Sequence, residues 1–353
     1  MADSEVRIGI IGSGGIAGAH AEQYKKVPGA RVVAVADVVP GRAQAFIDRF
    51  GFEGAEAFTD HREMLKRDFD GVSVCTFNAA HYQPTMDALA AGKHVLLEKP
   101  MATTLSDGLD MVRQARGAKR MLTVGFQTRF ETRNRLAREI AASGKLGHIY
   151  YAETGGGRRR GIPGGTFVRQ ETAVGGAVLD IGCYSLDTAL WIMGNPKPLT
   201  VSAYTSNHFG ASPTRARLAS WDRNMDPSKF DVEDFGMAMV RLEGDTTLVF
   251  KISWAMHAET LGQTFFLGTD GGLNLDELKL YHDMDDRAVT TTFMGGRGRD
   301  AWYRKLESFV EAIRTGGPAP VPGEDMLSAT AIIEGIYRSA KEHAEVRVEI
   351  PAI

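Results

Sequence analysis

Cysteine is scarce. Cys75 and Cys183 are the whole complement of a 353-residue chain, too few for a disulfide framework. Each sits in an apolar run, Val72-Ser73-Val74-Cys75 and Ile181-Gly182-Cys183, which reads as a buried, reduced thiol. A surplus of either charge is also missing: 41 Lys and Arg against 44 Asp and Glu leave a net charge of −3. Near balance argues against general nucleic-acid binding, which needs a basic excess. No apolar run approaches the ~18 residues of a membrane span. The opening stretch Met1–Arg7 carries Asp3 and Glu5 and no apolar core, so no secretory leader is read there. The expected setting is soluble, reducing and cytoplasmic. Neither H-E-x-x-H nor paired cysteines at ligand spacing occur, and no metal is expected.

What is present points to a globular chain with a sizeable core, 43% hydrophobic and 24% charged, long enough for two domains. The 40 glycines are an excess without a triplet period, so they belong to turns and close backbone approaches. The first third alternates β-branched runs with helical segments. Val6–Ile11, Arg31–Ala36, Gly71–Cys75, His94–Leu97 and Met121–Val124 read as strands. Gly41–Phe50, Pro84–Ala91 and Leu105–Arg116 read as helices. That rhythm predicts βαβ units and a parallel sheet over residues 1–125. Beyond about residue 150 the period changes to two, as in Leu248, Phe250, Ile252 and Trp254. Gly268-Thr269-Asp270-Gly271-Gly272 reads as a hairpin turn. Residues 126–353 are therefore expected to form an α+β domain with a large, mainly antiparallel open sheet. Its two closing helices carry Leu306, Phe309, Val310, Ile313 and Ala329, Ile332, Ile333, Ile336 at helical spacing. They are joined by a stiff connector containing Pro318, Pro320 and Pro322, and the segment from Trp302 onward is expected to pack back near the first domain.

Directly after the first strand comes Gly12-Ser13-Gly14-Gly15-Ile16-Ala17, a G-x-G-x-x-A element opening a helix. The next strand ends at Asp37. This is a dinucleotide fingerprint in its proper context. Gly12 permits the turn, Gly14 lets backbone approach a pyrophosphate, and Ala17 packs helix on strand. The helix N-terminus offers free N–H groups to the anion. Asp37 is placed to accept both adenosine ribose hydroxyls and to repel a 2′-phosphate, favouring NAD. Arg42 could accommodate that phosphate, so NADP stays open.

Two further elements, Glu98-Lys99-Pro100 after the fourth predicted strand and Gly175-Gly176-Ala177-Val178-Leu179-Asp180-Ile181-Gly182-Cys183-Tyr184, follow in order. With the glycine loop and Asn78–His81, the chain resembles the glucose–fructose oxidoreductase / inositol dehydrogenase / rhizopine-catabolism family of NAD(P)-dependent sugar oxidoreductases, over nearly its whole length. The resemblance implies a Rossmann domain with NAD beside Phe77, Asn78, His81, Glu98, Lys99 and Gln127. It implies that Lys99, aimed by a cis peptide at Pro100, hydrogen-bonds the reacting hydroxyl. It makes Asp180 the substrate-binding aspartate. Many relatives carry a histidine as general acid/base where this chain has Tyr184, while some branches place tyrosine there. Proton transfer is thus left between Lys99 and Tyr184. Relatives are dimers or tetramers, so a homodimer or homotetramer is expected.

Lysine and tyrosine, with ordinary pKa values of ~10.4 and ~10, are poor bases at neutral pH. Partial desolvation beside a cationic nicotinamide should lower Lys99, and a protonated Lys99 should lower Tyr184, making a coupled acid/base pair. Arg158-Arg159-Arg160 is weighed between an anion subsite for a phosphorylated, acidic or nucleotide-linked sugar and a solvated loop or interface salt-bridge cluster. The second reading is taken for two of the three, with Arg158 and Phe167 at the substrate. His81 is weighed between nicotinamide contact and packing at a helix start. His257 is weighed between a sheet role and a sugar contact. Arg129 is weighed between the cleft and a structural salt bridge, and Trp254 is read as core. The expected activity is hydride transfer between nicotinamide and a secondary alcohol or ketone of a sugar or polyol. A redox-neutral glycoside-cleaving enzyme of the same family and a non-catalytic sugar or NAD sensor remain as alternatives.

Overall fold

The computed structural model describes residues 5–222, 224–294 and 300–353. Met1–Ser4, part of the stretch read as lacking a leader, lie outside the described residues. Six strands form the first sheet: β1 (Val6–Ile11), β2 (Ala30–Ala36), β3 (Glu56–Phe58), β4 (Gly71–Val74), β5 (His94–Leu97) and β6 (Leu122–Val124). All pairings are parallel, in the order β3-β2-β1-β4-β5-β6. The five strands expected from β-branched runs are all there. Strand β3 escapes that pattern because Glu56-Ala57-Phe58 is short, with two of its three residues exposed. Helices α1 (Gly15–Tyr24), α2 (Arg42–Phe50), α3 (His61–Leu65), α4 (Tyr82–Ala90) and α5 (Leu105–Ala118) are the crossovers. The strand order reverses between β1 and β4, so their carboxyl ends open a crevice of the kind that receives ligands. Asp37, Phe77, Glu98 and Lys99 all follow carboxyl ends of this sheet.

Helix α6 (Thr132–Ala142) leads into the second sheet. Its strands are β7 (Ile149–Gly157), β8 (Pro198–Ser206), β9 (Phe235–Leu242), β10 (Thr246–Ser253), β11 (Phe265–Gly268), β12 (Gly271–Asn274), β13 (Lys279–Met284), β14 (Arg287–Thr292) and β15 (Val346–Arg347). Their order is β14-β13-β12-β11-β7-β10-β9-β8-β15. Every pairing is antiparallel except β7 with β10, which is parallel. Helices α7 (Gln170–Ala173), α8 (Cys183–Met193) and α9 (Pro213–Ala219) lie between the earlier strands, while β9 to β14 follow one another directly. The period-two residues Leu248, Phe250 and Ile252 are buried on one face.

The closing helices α10 (Ala301–Thr315) and α11 (Met326–Glu342) take different partners. Helix α11 lies on β8, α5 and α8. Helix α10 returns to the first sheet, where Leu306, Phe309 and Val310 join one apolar cluster with Ile8, Ile10, Ala17 and Ala21. The proline connector runs along the edge strand β6, with Val124 N–H donating to the Val321 carbonyl at 2.9 Å.

Candidate active site

The glycine loop has the shape an anion cradle needs. Gly12 is left-handed (φ 86°), and a Cβ there would lie 2.8 Å from the Cys75 carbonyl oxygen. A side chain at that position is excluded twice over. Gly14 and Gly15 face open space, with no atom within 4 Å of where a Cβ would stand, so a diphosphate can approach their backbone at the start of α1. Ala17 is fully buried against the sheet and Ile16 packs beside it. Asp37 accepts hydrogen bonds from Ser13 N–H (2.9 Å), Ser13 O–H (2.6 Å) and Val39 N–H (3.0 Å). Burial opposes its charge, but these bonds, helped by Arg42, outweigh burial and hold the carboxyl below its usual range. The donor and acceptor set therefore fits an adenine dinucleotide.

Across the crevice, Lys99 Nζ donates to Asp180 Oδ1 at 2.9 Å and to the Asp180 backbone carbonyl at 3.0 Å. The two residues reach each other from separate parts of the fold. Lys99 follows β5 through a cis Lys99–Pro100 peptide, and Asp180 lies in a π-helical turn, Val178–Gly182, that runs into α8. Such wide turns recur at functional sites. Burial alone would lower the Lys99 pKa, but the facing carboxylate wins and raises it above the ordinary lysine range. The ion pair with Asp180 thus outweighs desolvation, whereas the lowering expected from the sequence belongs to Lys99 beside a cationic nicotinamide.

The Tyr184 ring, not its hydroxyl, faces Lys99: the ammonium sits 5.0 Å from the ring centroid. Its O–H donates to Gln127 Oε1 at 3.4 Å, and Phe126 packs edge-on at 5.6 Å. Burial raises the phenol above its ordinary value despite the opposing pull of Lys99. Cys183, one residue earlier, is buried and pushed up to about 12, mainly by desolvation.

Several other predicted residues are engaged by the protein itself. His81 is buried, with Nδ1 2.7 Å from the Pro100 carbonyl and Nε2 3.2 Å from the Thr76 carbonyl. It ties the Lys99–Pro100 loop to the end of β4, and this geometry corresponds to packing at a helix start. Asn78 donates to the Ala173 carbonyl at 3.0 Å, joining the first sheet's loop to α7. Glu98 faces away from solvent into a buried cluster, with His20 Nε2 at 2.8 Å and Lys305 Nζ at 2.6 Å from Oε1. Its Oε2 has no protein partner among the described residues. Arg129 forms a buried ion pair with Asp187 (2.6 Å) and a second with Asp325 (2.6 Å), the structural alternative of its two readings. Arg158 stacks on Trp221 with its guanidinium carbon 4.6 Å from the ring centroid. Phe77 and Phe167 are exposed, and the exposed His257 packs on Phe209 with centroids 5.5 Å apart.

Four contributors escape the reading of the sequence. Trp254 Nε1 donates to Asp180 Oδ2 at 3.1 Å. Glu233 accepts N–H bonds from Gly176 (2.8 Å) and Val178 (3.0 Å) and so caps the turn that carries Asp180. His20 and Lys305 complete the Glu98 cluster. Lys305 does leave a signal, since it is a lysine four residues before Phe309 on an otherwise apolar helix face. The others are long-range contacts with no local signature.

Comparison with known proteins accords with this architecture. Residues 6–126 match the oxidoreductase family described as having an NAD-binding Rossmann fold. Residues 134–274 match the GFO/IDH/MocA C-terminal domain. The chain is 29% identical to D-glucoside 3-dehydrogenase of Escherichia coli K12 over 99% of both chains. It is 25% identical to myo-inositol 2-dehydrogenase of Thermotoga maritima, covering 98% of this chain and 99% of that one. Among solved structures, levoglucosan dehydrogenase with NADH and levoglucosan superposes with a TM-score of 0.81 at 23% identity, over 98% of this chain and 100% of the other. Aldose–aldose oxidoreductase from Caulobacter crescentus, complexed with glycerol, gives 0.78 at 25% identity, over 97% and 99%.

Proposed function

The chain belongs to the GFO/IDH/MocA oxidoreductase family and begins with an NAD-binding Rossmann domain; from that premise we propose that it moves hydride between nicotinamide C4 and a secondary alcohol or ketone of a sugar, polyol or glycoside. The observation that carries the reading is the Lys99–Asp180 pair, 2.9 Å across the crevice between the two sheets. The names of the relatives, a glucoside 3-dehydrogenase and an inositol 2-dehydrogenase, support a ring alcohol as substrate.

The start of α1 and the Gly14–Gly15 backbone hold the diphosphate, and Asp37 takes the adenosine ribose hydroxyls while repelling a 2′-phosphate. Bound NAD⁺ supplies the hydride acceptor. Lys99 has three N–H groups; two go to Asp180, and the third serves the oxygen that gains or loses its proton. A cation held there by Asp180 stabilises developing alkoxide charge in a site sheltered from water. Tyr184 supports the ammonium with its ring face and keeps its O–H on Gln127. In alcohol oxidation the hydroxyl proton passes to whichever of Lys99 and Tyr184 is in its deprotonated form, and from there to solvent. Arg158, Phe167 and His257 shape the outer wall against the sugar.

The opposite face of the second sheet exposes Leu199, Tyr204, Met237, Met239 and Tyr281. Exposed apolar side chains gathered on one sheet face are characteristic of an interface, and a second copy of the chain is its occupant, in a dimer or tetramer. Light scattering on the purified protein tests the assembly. A panel of polyols, aldoses, glycosides and keto-sugars with NAD(H) and NADP(H), followed by NADH absorbance, tests the activity. Stoichiometric NADH with an oxidised sugar supports the dehydrogenase. Glycoside cleavage without net NADH would replace it with the redox-neutral activity.

A further inference from the structure

The Asp180 carboxylate is held at both oxygens from inside the protein. Lys99 takes Oδ1 and Trp254 takes Oδ2. Trp254 is fully buried, with Phe230 edge-on at 6.2 Å. Its own backbone N–H donates to the Asp234 carbonyl at 2.9 Å. Asp234 is in turn fixed: its carboxylate accepts N–H bonds from Phe209 (2.6 Å), Gly210 (2.8 Å) and His208 (3.3 Å). The neighbouring residue, Glu233, caps the turn bearing Asp180 and also accepts from Tyr337 O–H at 3.0 Å. One dipeptide, Glu233-Asp234, thus anchors both ends of the Trp254–Asp180 contact.

We infer that Trp254 is a positioning residue for hydride transfer, fixing the plane of the Asp180 carboxylate so that Lys99 presents its remaining N–H to the reacting oxygen; this rests on the function proposed above. A carboxylate anchored at one oxygen swings about its Cβ–Cγ bond. Anchored at both, it has one orientation, and the ammonium tied to Oδ1 and to the same residue's carbonyl shares that orientation. A buried indole N–H requires an acceptor, yet many backbone carbonyls would serve. Here the acceptor is a charged group, which makes the stronger bond, and it is the carboxylate that pairs with Lys99. Precise aim of this kind matters because small misplacements of a reacting group cost large factors in rate.

The experiment has two arms. The chain contains four tryptophans, so a proton–nitrogen spectrum of indole-labelled protein is simple, and Trp254→Phe assigns the relevant signal. Asp180→Asn should move the Trp254 indole signal far more than the other three; an unmoved signal overturns the contact whether or not any substrate has been found. In the second arm, Trp254 is replaced by benzothienylalanine, which keeps the bicyclic shape and exchanges the N–H for sulfur. With a substrate from the panel, kcat should fall about tenfold while KM for NAD stays unchanged and the fold, read by circular dichroism, is retained. An unchanged kcat, or an equal loss in NAD affinity, overturns the positioning role. A panel without turnover by the wild-type chain would instead overturn the proposed function, leaving the indole signal to decide the contact.

Discussion

Lys305 places its ammonium 2.6 Å from Glu98 Oε1 although 207 residues separate them in the chain. Both side chains are buried, and His20 lies within 3.2 Å of the lysine. Three elements meet at this point: α1 from the dinucleotide loop, the residue before Lys99, and the returning helix α10. Burial would raise the Glu98 carboxyl, but Lys305 and His20 overcome it and hold the group far below the carboxylate range.

Removing Lys305 leaves that carboxylate buried with only His20 facing its charge. Lys305→Met should destabilise the protein by about 3–5 kcal/mol, measured by urea unfolding. Adding Glu98→Gln should restore part of the loss. The pH sign follows from the depressed carboxyl: the cluster's stabilisation is complete above the unfolded-state carboxyl pKa of ~4.3 and is lost as pH falls toward the folded value. The wild type should therefore lose stability in acid more steeply than the double variant; parallel curves would show that the cluster contributes nothing.

Lys99→Met should abolish hydride transfer and leave NADH binding, read by fluorescence titration, nearly intact. Retained turnover would remove Lys99 from the mechanism.

Both candidate proton carriers hold their protons tightly, Lys99 because of Asp180 and Tyr184 because of burial. Alcohol oxidation needs a base, so kcat/KM for that direction should climb as pH rises above neutrality. Ketone reduction needs an acid and should stay level over the same range. Opposite trends in the two directions would contradict the assignment.

Tyr184→Phe keeps the ring under the ammonium and deletes the O–H that reaches Gln127. It should lower kcat far more than it weakens cofactor binding. An unchanged kcat would place the proton elsewhere.

Asp37→Ala removes the ribose acceptor and the anchor of Ser13. The kcat/KM ratio of NAD over NADP should fall by about tenfold or more, since hydrogen bonds to a charged group contribute ~1.5–3 kcal/mol. A constant ratio would mean that another residue selects the coenzyme.

The first sheet is readable because its signals are local: β-branched runs, a glycine loop and an aspartate at a strand end. Gly12 and Asp37 sit where those patterns place them. The second sheet is readable in kind, since Leu248, Phe250 and Ile252 alternate, but its parallel β7–β10 pairing is not. That pairing depends on how the chain between them crosses over, which no single-strand pattern encodes. Lys99 and Asp180 are legible through motif resemblance. Their partners are not: Trp254 looks like any buried aromatic in an alternating strand, and its N–H acquires meaning only when folding brings Asp180 to it. Tyr184 is visible in the motif, yet which of its atoms meets Lys99 depends on packing by Phe126 and Gln127.

The return of α10 to the first sheet bears on how the protein comes into being. A Cβ on Gly71 would lie 2.7 Å from Ile313 and 3.0 Å from Phe309, so β4 is packed tightly against a segment made late, after all the other strands of its sheet. A nascent chain halted after β6 has its early strands but leaves one wall of their core open to water. Coenzyme affinity should accordingly emerge only after the ribosome has delivered Thr315, and stalled-chain capture on a nucleotide resin, comparing arrests before and after α10, would reveal that order.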